Sequence, residues 1–435
     1  MANIRGARLA KALFILLHPL WRLYDWLVPK RPDHWAFATH HLNAGRFIEN
    51  QRALFEHVKK DASIRKIIFY RGEMEDFRIE DAVNYQIVRH GTLQGFLLLA
   101  RCKVVLLTHS ITMDFSLRWG GRQFSILKLA LRPRTVVNLS HGISLKRLLY
   151  TANAKTHQHT DRVKYRSLER RYYDGLIASS DIDSYVMASM YYPLNHRQVW
   201  VTGLPRNDFL VKQEADLPRY LRDCLESIRR MKAGRRLVLY APTYRQTDVS
   251  RSAAYYQFSD EEIEHLKSVL RDQNAILGFR PHYFKNTMEY FNLDQYIDDE
   301  FIVDLSQAVI PEISAALREC DVLVTDYSSV YVDALYLGKP SLCFAYDYEH
   351  YKGEQDGLLY DMSLVFPGPI LSEFTGVIDA VAGLLSSPTT RIQEQEHTNK
   401  IFFKYNDSNN SERVRQRIVQ ALEADTTQIS LAGRQ

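Results

Sequence analysis

Residues 321–340 have the sequence DVLVTDYSSVYVDALYLGKP, and this stretch decides the fold class. A short apolar run at 321–325 is typical of a strand that is buried on both faces of a sheet. The apolar pattern at 329–337 predicts a helix, which Gly338 and Pro340 would end. A buried strand followed at once by a helix is the basic unit of a parallel α/β sheet.

The same unit recurs along most of the chain. In the second half, further strands are predicted at 237–240, 275–280, 301–304 and 341–345, with helices at 260–271 and 311–319. In the first half, strands are predicted at 67–70, 104–108, 135–139 and 175–178, with helices at 50–60 and 93–101. The pattern predicts an α/β protein of two doubly wound halves, joined by a linker near 205–235. Ligands bind such sheets at the carboxyl ends of the strands, so we expect a deep cleft between the halves.

Length and composition bound the class of protein. A chain of 435 residues is too long for one typical core, and 46% hydrophobic with 25% charged residues excludes a disordered chain. The cysteines are Cys102, Cys224, Cys320 and Cys343, with no CxxC pair, so we expect buried free thiols in a reducing compartment and no zinc site. Neither a metal nor a cofactor is expected. No run of about 18 apolar residues predicts a membrane-spanning helix.

Charge is distributed unevenly along the chain. Residues 1–31 have six Lys/Arg against one Asp, and residues 101–171 have fifteen against three acids, whereas residues 172–435 have twenty-six against thirty-eight. A basic amino-terminal half indicates an anionic partner. No nucleic-acid-binding module accompanies it, so an anionic lipid surface or a polyphosphate acceptor is the favoured interpretation, with a solvated surface as the alternative. Lys146 and Arg147 are the predicted acceptor contacts.

The first residues predict an amphipathic helix. Its apolar face comprises Leu9, Ala12, Leu13, Leu16, Leu17 and Leu20. Basic residues lie largely on the other face, and Trp21, Tyr24 and Trp26 follow, as is typical of a helix lying in a membrane interface. The alternatives are a helix packed on its own domain and a secretory signal, which His18 and Pro19 disfavour. Because residues 1–31 precede the first predicted strand, the folded core is not expected to need them.

The turn between strand and helix in the opening stretch is a candidate anion site. Asp326 ends the strand, and Ser328 and Ser329 open the helix. Free backbone N–H groups and two hydroxyls at such a turn suit a phosphate, although ordinary helix capping would use the same residues. The sequence contains neither GxxxxGK[ST] nor GxGxxG, so this is not a P-loop or a dinucleotide fingerprint.

Other candidate residues follow other predicted strands. His141 follows the strand at 135–139 and precedes a glycine, a position from which it could accept a proton from an attacking hydroxyl. His282 follows a strand of the second half, and Arg280 beside it offers a fork for phosphate. Thr243 and Arg245 lie at another donor-rich strand end. Together these residues predict a polar site in the cleft.

The candidate residues belong to an ordered series of motifs. The series is SHGISLK (140–146), GLPRND (203–208), LYAPTYR (239–245), FRPHY (279–283), the opening stretch, FAYDYEHY (344–351) and YNDSNNSERV (405–414). In order and spacing, over roughly residues 35–420, it resembles the CDP-glycerol glycerophosphotransferase family of teichoic-acid and capsule synthesis.

The resemblance implies a GT-B architecture, in which two Rossmann-like domains face each other. Residues 32–205 would form the acceptor domain and residues 206–435 the CDP-donor domain, whose last helix could pack back on the first domain. His141 and His282 would be the essential histidines, one the general base and the other acting on the donor's phosphate charge. Ser328 and Ser329 would hold the pyrophosphate, with the nearby polar residues completing the donor site. Members are peripheral proteins of the cytoplasmic membrane face.

The sequence departs from the family pattern at two places. Ile143 and Ser144 replace the usual Thr and Pro after the histidine and glycine, and residues 355–358 lack the usual Arg. The expected reaction is transfer of a glycerol-phosphate or related polyol-phosphate unit from a CDP-activated donor to a hydroxyl of a polymer or lipid-linked primer, releasing CMP. The alternatives are a GT-B glycosyltransferase using a nucleotide sugar and a non-catalytic scaffold that binds membrane and polymer.

Overall fold

The structure, a computed structural model, describes residues 2–40, 45–72, 74, 76–119, 124–152, 167–243, 256–281, 293–349, 351, 357–387 and 392–432. The helices among them are α1 (Ala2–Leu27), α2 (Glu49–Val58), α3 (Leu93–Arg101), α4 (Ile111–Asp114), α5 (Asp181–Met190), α6 (Asp208–Val211), α7 (Arg219–Lys232), α8 (Asp260–Asp272), α9 (Ile313–Glu319), α10 (Val330–Tyr336), α11 (Met362–Val365), α12 (Phe374–Ser386), α13 (Ile392–Phe402) and α14 (Asn410–Ala432).

The amino-terminal half forms one parallel sheet. Its strands are β1 (Arg31–Ala38), β2 (Arg65–Tyr70), β3 (Tyr85–Arg89), β4 (Cys102–Leu107), β7 (Thr135–Asn138), β8 (Gly175–Ala178) and β9 (Val199–Val201), in the spatial order β3-β2-β1-β4-β7-β8-β9. A separate antiparallel hairpin comprises β5 (Leu117–Trp119) and β6 (Phe124–Leu127). The chain order reverses between β1 and β4, and ligands bind beside such a switch point.

The carboxyl-terminal half forms a second parallel sheet. Its strands are β10 (Arg236–Ala241), β11 (Ala275–Phe279), β12 (Ile302–Asp304), β13 (Val322–Thr325), β14 (Ser341–Phe344) and β15 (Ile370–Leu371), in the order β12-β11-β10-β13-β14-β15. Here the chain order reverses between β10 and β13, the strand of the opening stretch. The predicted α/β fold with two doubly wound halves is confirmed. Strand β1, which starts with the polar residues RPDH, was not predicted although it lies in the interior of its sheet, between β2 and β4.

Three apolar clusters fill the layers. One continuous cluster joins facing sides of both sheets and includes Phe55, Trp200, Leu239 and Tyr331. Separate clusters cover the outer face of each sheet. The segment predicted as a linker contains α7, whose buried side packs mainly against α9 of the second half. The two halves therefore share apolar core and are more than two bodies on a flexible tether.

The carboxyl-terminal helix crosses back to the first half. Helix α14 packs against α2, and His57 Nε2 lies 2.7 Å from Glu412 Oε2. Lys103 and Asp425 form a further ion pair at the other end of α14. The sequence range 206–435 therefore ends in a helix that packs on the domain of residues 32–205.

Helix α1 docks on the amino-terminal half along one side only. Trp21 is buried, and its Nε1 donates a hydrogen bond to the carbonyl of Lys128 at 3.2 Å. Asp25 is fully buried and forms an ion pair with Arg134, whose Nη1 donates to Asp25 Oδ2 at 2.9 Å. Arg31 is already the first residue of β1. The expectation that the core does not need residues 1–31 is therefore wrong, because the last third of α1 belongs to that core.

The solvent-facing side of α1 is apolar. Its exposed residues include Leu9, Ile15, Leu16, Leu17, Leu20, Leu23, Trp26 and Leu27. Three of them, Leu16, Leu20 and Leu23, are 67%, 66% and 55% exposed and follow each other at helical spacing. Trp21, which we expected at a membrane interface, faces the protein instead. No helix in the described part of the chain is both long and apolar enough to cross a membrane.

Candidate active site

A cleft of ≈ 260 Å³ lies between the carboxyl ends of the two sheets. Its N-terminal wall includes Glu49, His141, Ser144, Lys146 and Arg206. Its C-terminal wall includes Thr243, Arg280, Glu312, Ser328, Ser329 and Asp333. Most of the predicted site residues that the structure describes thus meet in one cavity.

Three histidines gather on the N-terminal side because their strands are neighbours. His40, His109 and His141 each follow a strand by two or three residues, after β1, β4 and β7. Adjacent strands lie about 4.8 Å apart, which brings the rings together. The ring centroids of His109 and His141 are 5.4 Å apart and nearly parallel, and those of His40 and His109 are 4.9 Å apart.

His141 is the member of this cluster that lines the cleft. Its side chain is exposed to the cavity, while the surrounding walls remove bulk water from the other directions. Burial, and after it the neighbouring His109, lower the pKa of His141 to about 4, whereas the negative charge of Glu49 acts in the opposite direction. The imidazole is therefore neutral near pH 7 and able to accept a proton.

Arg206 of the GLPRND motif joins the two walls. Its Nη1 donates to the carbonyl oxygen of His141 at 2.7 Å, and its Nη2 donates to Asp333 Oδ2 at 2.6 Å. Asp333 lies on α10, the helix that begins directly after the two serines. The backbone of the histidine loop is therefore tied to the helix that carries the predicted phosphate site.

Ser328 and Ser329 face the cleft from the C-terminal wall. The backbone N–H of Val330 approaches Ser328 Oγ at 3.4 Å, and Ser329 makes no side-chain capping hydrogen bond. Helix capping therefore explains the presence of Ser328 only weakly and does not explain that of Ser329. Both residues are partly exposed, so their hydroxyls can donate to an oxygen of a ligand in the cavity.

Three other predicted donor-site residues support this wall. The carboxylate of Asp326 accepts hydrogen bonds from the backbone N–H of Thr243 at 2.9 and 3.0 Å, so it holds the tip after β10. It is buried, and it is not among the residues that line the cleft. Arg280 Nη1 donates to the carbonyls of Leu305 and Ile310, while the side chain still borders the cavity. Burial lowers the pKa of Arg280 to about 10, so it keeps its charge at neutral pH.

The remaining predicted residues are spread more widely. Lys146 lines the cleft, with its ammonium 5.5 Å from the ring centroid of Tyr351. Arg147 is exposed outside the cavity lining, and its Nε donates to the carbonyl of Leu358 at 3.1 Å. Arg245 and His282 lie outside the described residues. A role for these two therefore rests on their motifs.

Replacing Ser328 and Ser329 together by alanine is expected to weaken donor binding by about 1–3 kcal/mol, because two hydroxyls that face the cleft are lost. The backbone N–H groups remain, so the loss is partial. Calorimetric titration with CDP-glycerol and with CDP measures the change. Ser363→Ala, whose hydroxyl only bonds Asp361 away from the cleft, is the matched control. An unchanged affinity in the double variant would show that the serines have only a local structural role.

Sequence reasoning missed Arg206 and three further residues of the N-terminal side. Glu49 begins α2 and lines the cleft, where an acidic residue at a helix start is ordinarily a favourable partner of the helix dipole. His40 and His109 follow strands in the same way as His141, and that shared position was the available signal. The described residues contain no group of three or more His, Cys, Asp or Glu arranged to hold a metal ion.

Comparison with known proteins agrees with this geometry. The family model of CDP-glycerol:poly(glycerophosphate) glycerophosphotransferases matches residues 23–420. A teichoic acid glycerol-phosphate transferase of Staphylococcus aureus is 26% identical over 411 residues, covering 93% of this chain and 97% of that protein. A teichoic acid poly(glycerol phosphate) polymerase of Bacillus spizizenii is 30% identical over 259 residues, covering 58% and 61%.

Solved structures match the fold over nearly the whole chain. A structure of the wall teichoic acid polymerase TagF, from a crystal soaked with CDPG, has a TM-score of 0.74 and 18% identity and covers 99% of each chain. Two facing Rossmann-like domains with a polar cleft between them give the chain a GT-B architecture. The chain belongs to the CDP-glycerol:poly(glycerophosphate) glycerophosphotransferase family, which is a family of enzymes.

Proposed function

We propose that this enzyme transfers glycerol phosphate from CDP-glycerol, or a related CDP-polyol, to a terminal hydroxyl of a teichoic-acid-type polymer or its lipid-linked primer. The observation that carries the proposal is the pairing, across one cleft, of a neutral histidine on one wall with two hydroxyl donors on the other. The names of its relatives, which are teichoic acid glycerol-phosphate and ribitol-phosphate transferases and polymerases, support the same reaction.

The proposed reaction is a displacement at the β-phosphorus of the donor. The acceptor oxygen attacks this phosphorus while its proton passes to the imidazole of His141, which acts as general base. The bond between the β-phosphorus and the oxygen of CMP breaks, and CMP leaves with the electron pair. Ser328 and Ser329 donate hydrogen bonds to the pyrophosphate, and His282 acts on its charge, so that catalysis consists of positioning and charge stabilisation.

The decisive experiment incubates the purified protein with a panel of CDP-polyols and nucleotide sugars and identifies the released nucleotide. Release of CMP from CDP-glycerol in the presence of acceptor is the expected result. Release of a nucleotide from a nucleotide sugar instead would identify a glycosyltransferase. No acceptor-dependent release from any donor would identify a non-catalytic scaffold and overturn the proposal.

We further propose that the enzyme works at the anionic cytoplasmic surface of the cell membrane. The exposed apolar side of α1 supports this location, because a continuous row of leucines with Trp26 on the surface of a protein has a strong tendency to enter a bilayer interface. Arg8, Lys11 and Arg22 are exposed on the same helix and would contact anionic headgroups. The position would bring the cleft near a lipid-linked acceptor.

Replacing Leu16, Leu20 and Leu23 together by serine is expected to reduce co-sedimentation with anionic liposomes at least about tenfold, because the protein loses the apolar area that these side chains would bury in the bilayer. Turnover on a short soluble acceptor should persist. The control replaces three exposed leucines elsewhere, Leu93, Leu168 and Leu364, which are 76%, 51% and 68% exposed. Equal sedimentation of both triple variants would show that α1 does not anchor the protein.

A further inference from the structure

Glu49 occupies an unusual place on the N-terminal wall. Its backbone φ is +59°, a left-handed conformation that a residue other than glycine rarely adopts. This conformation is held in place from the opposite half, because the backbone N–H of Glu49 donates to Glu312 Oε1 at 3.1 Å. Strained residues persist where the surrounding structure determines them, and they occur often at functional sites.

The carboxylate of Glu49 points toward the histidines. Its Oε2 lies 3.7 Å from His40 Nε2, and its side chain is 16% exposed. Glu49 and His141 line the same cavity, and the charge of Glu49 acts directly on the pKa of His141. Within the described cleft lining, the other carboxylates have partners that occupy them, since Asp333 pairs with Arg206 and Glu312 accepts from Glu49 and from Tyr220.

Among the described residues, Glu49 is the carboxylate whose negative charge acts on the imidazole of His141. His109 and His40 lie behind the ring, on β4 and β1, and Arg206 donates to its backbone carbonyl. Asp114 lies farther back, where its Oδ1 is 3.5 Å from His109 Nδ1 and its Oδ2 accepts the backbone N–H groups of Thr108 and His109. A proton accepted by His141 would therefore create a cation surrounded mainly by neutral or positive groups.

We infer that Glu49 is a further catalytic residue, acting beside His141 in the reaction proposed above, on which this inference rests. It stabilises the imidazolium that forms when His141 takes the proton of the acceptor hydroxyl, and it accepts a hydrogen bond from the polyol of the acceptor. No additional bond is made or broken in this step, since the carboxylate contributes only charge and a hydrogen-bond acceptor. Its role differs from that of Glu312, which holds the backbone of Glu49.

Glu49→Gln tests the inference, because it removes the charge and keeps the shape and the backbone hydrogen bond to Glu312. We expect kcat for CMP release to fall about 10- to 100-fold, with the KM for CDP-glycerol within about twofold of the wild type. The acidic limb of the pH profile should move to lower pH, because loss of the negative charge lowers the pKa of His141. Glu49→Asp, which retains the charge, should restore part of the rate and return the acidic limb of the pH profile toward its wild-type position.

The control is Glu80→Gln, which removes one negative charge from the same half at a residue whose side chain is 40% exposed and outside the cleft lining. It should change neither kcat nor the pH profile. A merely structural role of Glu49 would lower the melting temperature without moving the acidic limb. An unchanged limb together with an unchanged kcat in Glu49→Gln would overturn the inference.

Histidine-selective ¹⁵N NMR provides a readout that needs no turnover. The pKa of His141, measured on the full chain, should be lower in Glu49→Gln than in the wild type. An equal pKa would contradict the charge coupling even if the catalytic reaction proved different. Absence of CMP release by the wild type would instead contradict the proposed function and leave the NMR comparison decisive for Glu49.

Discussion

Replacement of His141 by alanine is expected to lower kcat for CMP release from CDP-glycerol by about 100- to 10,000-fold, the usual loss when a general base is removed. The fold should be preserved, because the side chain projects into the cleft while the contact that ties its loop in place uses the backbone carbonyl. Turnover with saturating donor and acceptor, together with the melting temperature, measures both effects.

The matched control for this variant is His265→Ala, at an exposed histidine of α8 outside the cleft lining. It should retain wild-type turnover. His282→Ala is expected to cause a loss comparable to that of His141→Ala, on the strength of its motif and its position after β11. Near-normal activity of either His141→Ala or His282→Ala would remove that histidine from the mechanism.

Replacement of Asp25 by alanine is expected to lower the free energy of unfolding by about 3–5 kcal/mol, because it leaves a buried guanidinium without its counter-ion. Asp25 and Arg134 are 0% and 5% exposed, and Lys30 Nζ also lies 3.2 Å from Asp25 Oδ1. Denaturant unfolding monitored by circular dichroism measures the loss. Deleting residues 1–31 should be at least as damaging, because Trp21 is removed as well.

Asp33→Ala is the matched control, since Asp33 pairs with Arg31 at 3.3 Å and with His34 at 3.2 Å while its own side chain is 36% exposed. An exposed pair of this kind contributes about 0–1 kcal/mol. Asp25→Leu combined with Arg134→Met should recover part of the stability, because the buried guanidinium is removed together with its counter-ion, while Lys30 keeps its hydrogen bonds to the backbone carbonyls of Asp25 and Val28. Equal stability of Asp25→Ala and Asp33→Ala would show that α1 is not docked as the structure describes.

The ion pair in α1 illustrates why the sequence misjudged that helix. Its apolar and basic residues were correctly predicted to form an amphipathic helix, because the spacing of side chains along a helix is a local property. Which side of the helix faces the protein depends on a partner 109 residues away, Arg134, and no local pattern encodes that contact. As a result, Trp21 was assigned to the membrane although it packs on the core.

The residues of the candidate site also fall into those that the local sequence identifies and those that only tertiary contacts identify. His141, Ser328 and Ser329 could be identified from the sequence because each follows a buried strand, and parallel strands present their carboxyl ends on one edge. Arg206 and Glu49 could not, since their importance arises from contacts with Asp333 and Glu312 across the cleft. Asp326 shared the position of the serines, yet its carboxylate faces backward to the N–H of Thr243.

The sequence by itself therefore determined the α/β class, the two halves, the family and the loops that form the candidate site. These follow from the hydrophobic periodicity, the residues that start and end helices, and the order of the motifs, all of which can be read directly along the chain. The tertiary structure alone decided the order of the strands, and that order brings His40, His109 and His141 together. Strand order depends on the packing of segments that are far apart in the chain, so the partners of a residue become visible only when the whole core is assembled.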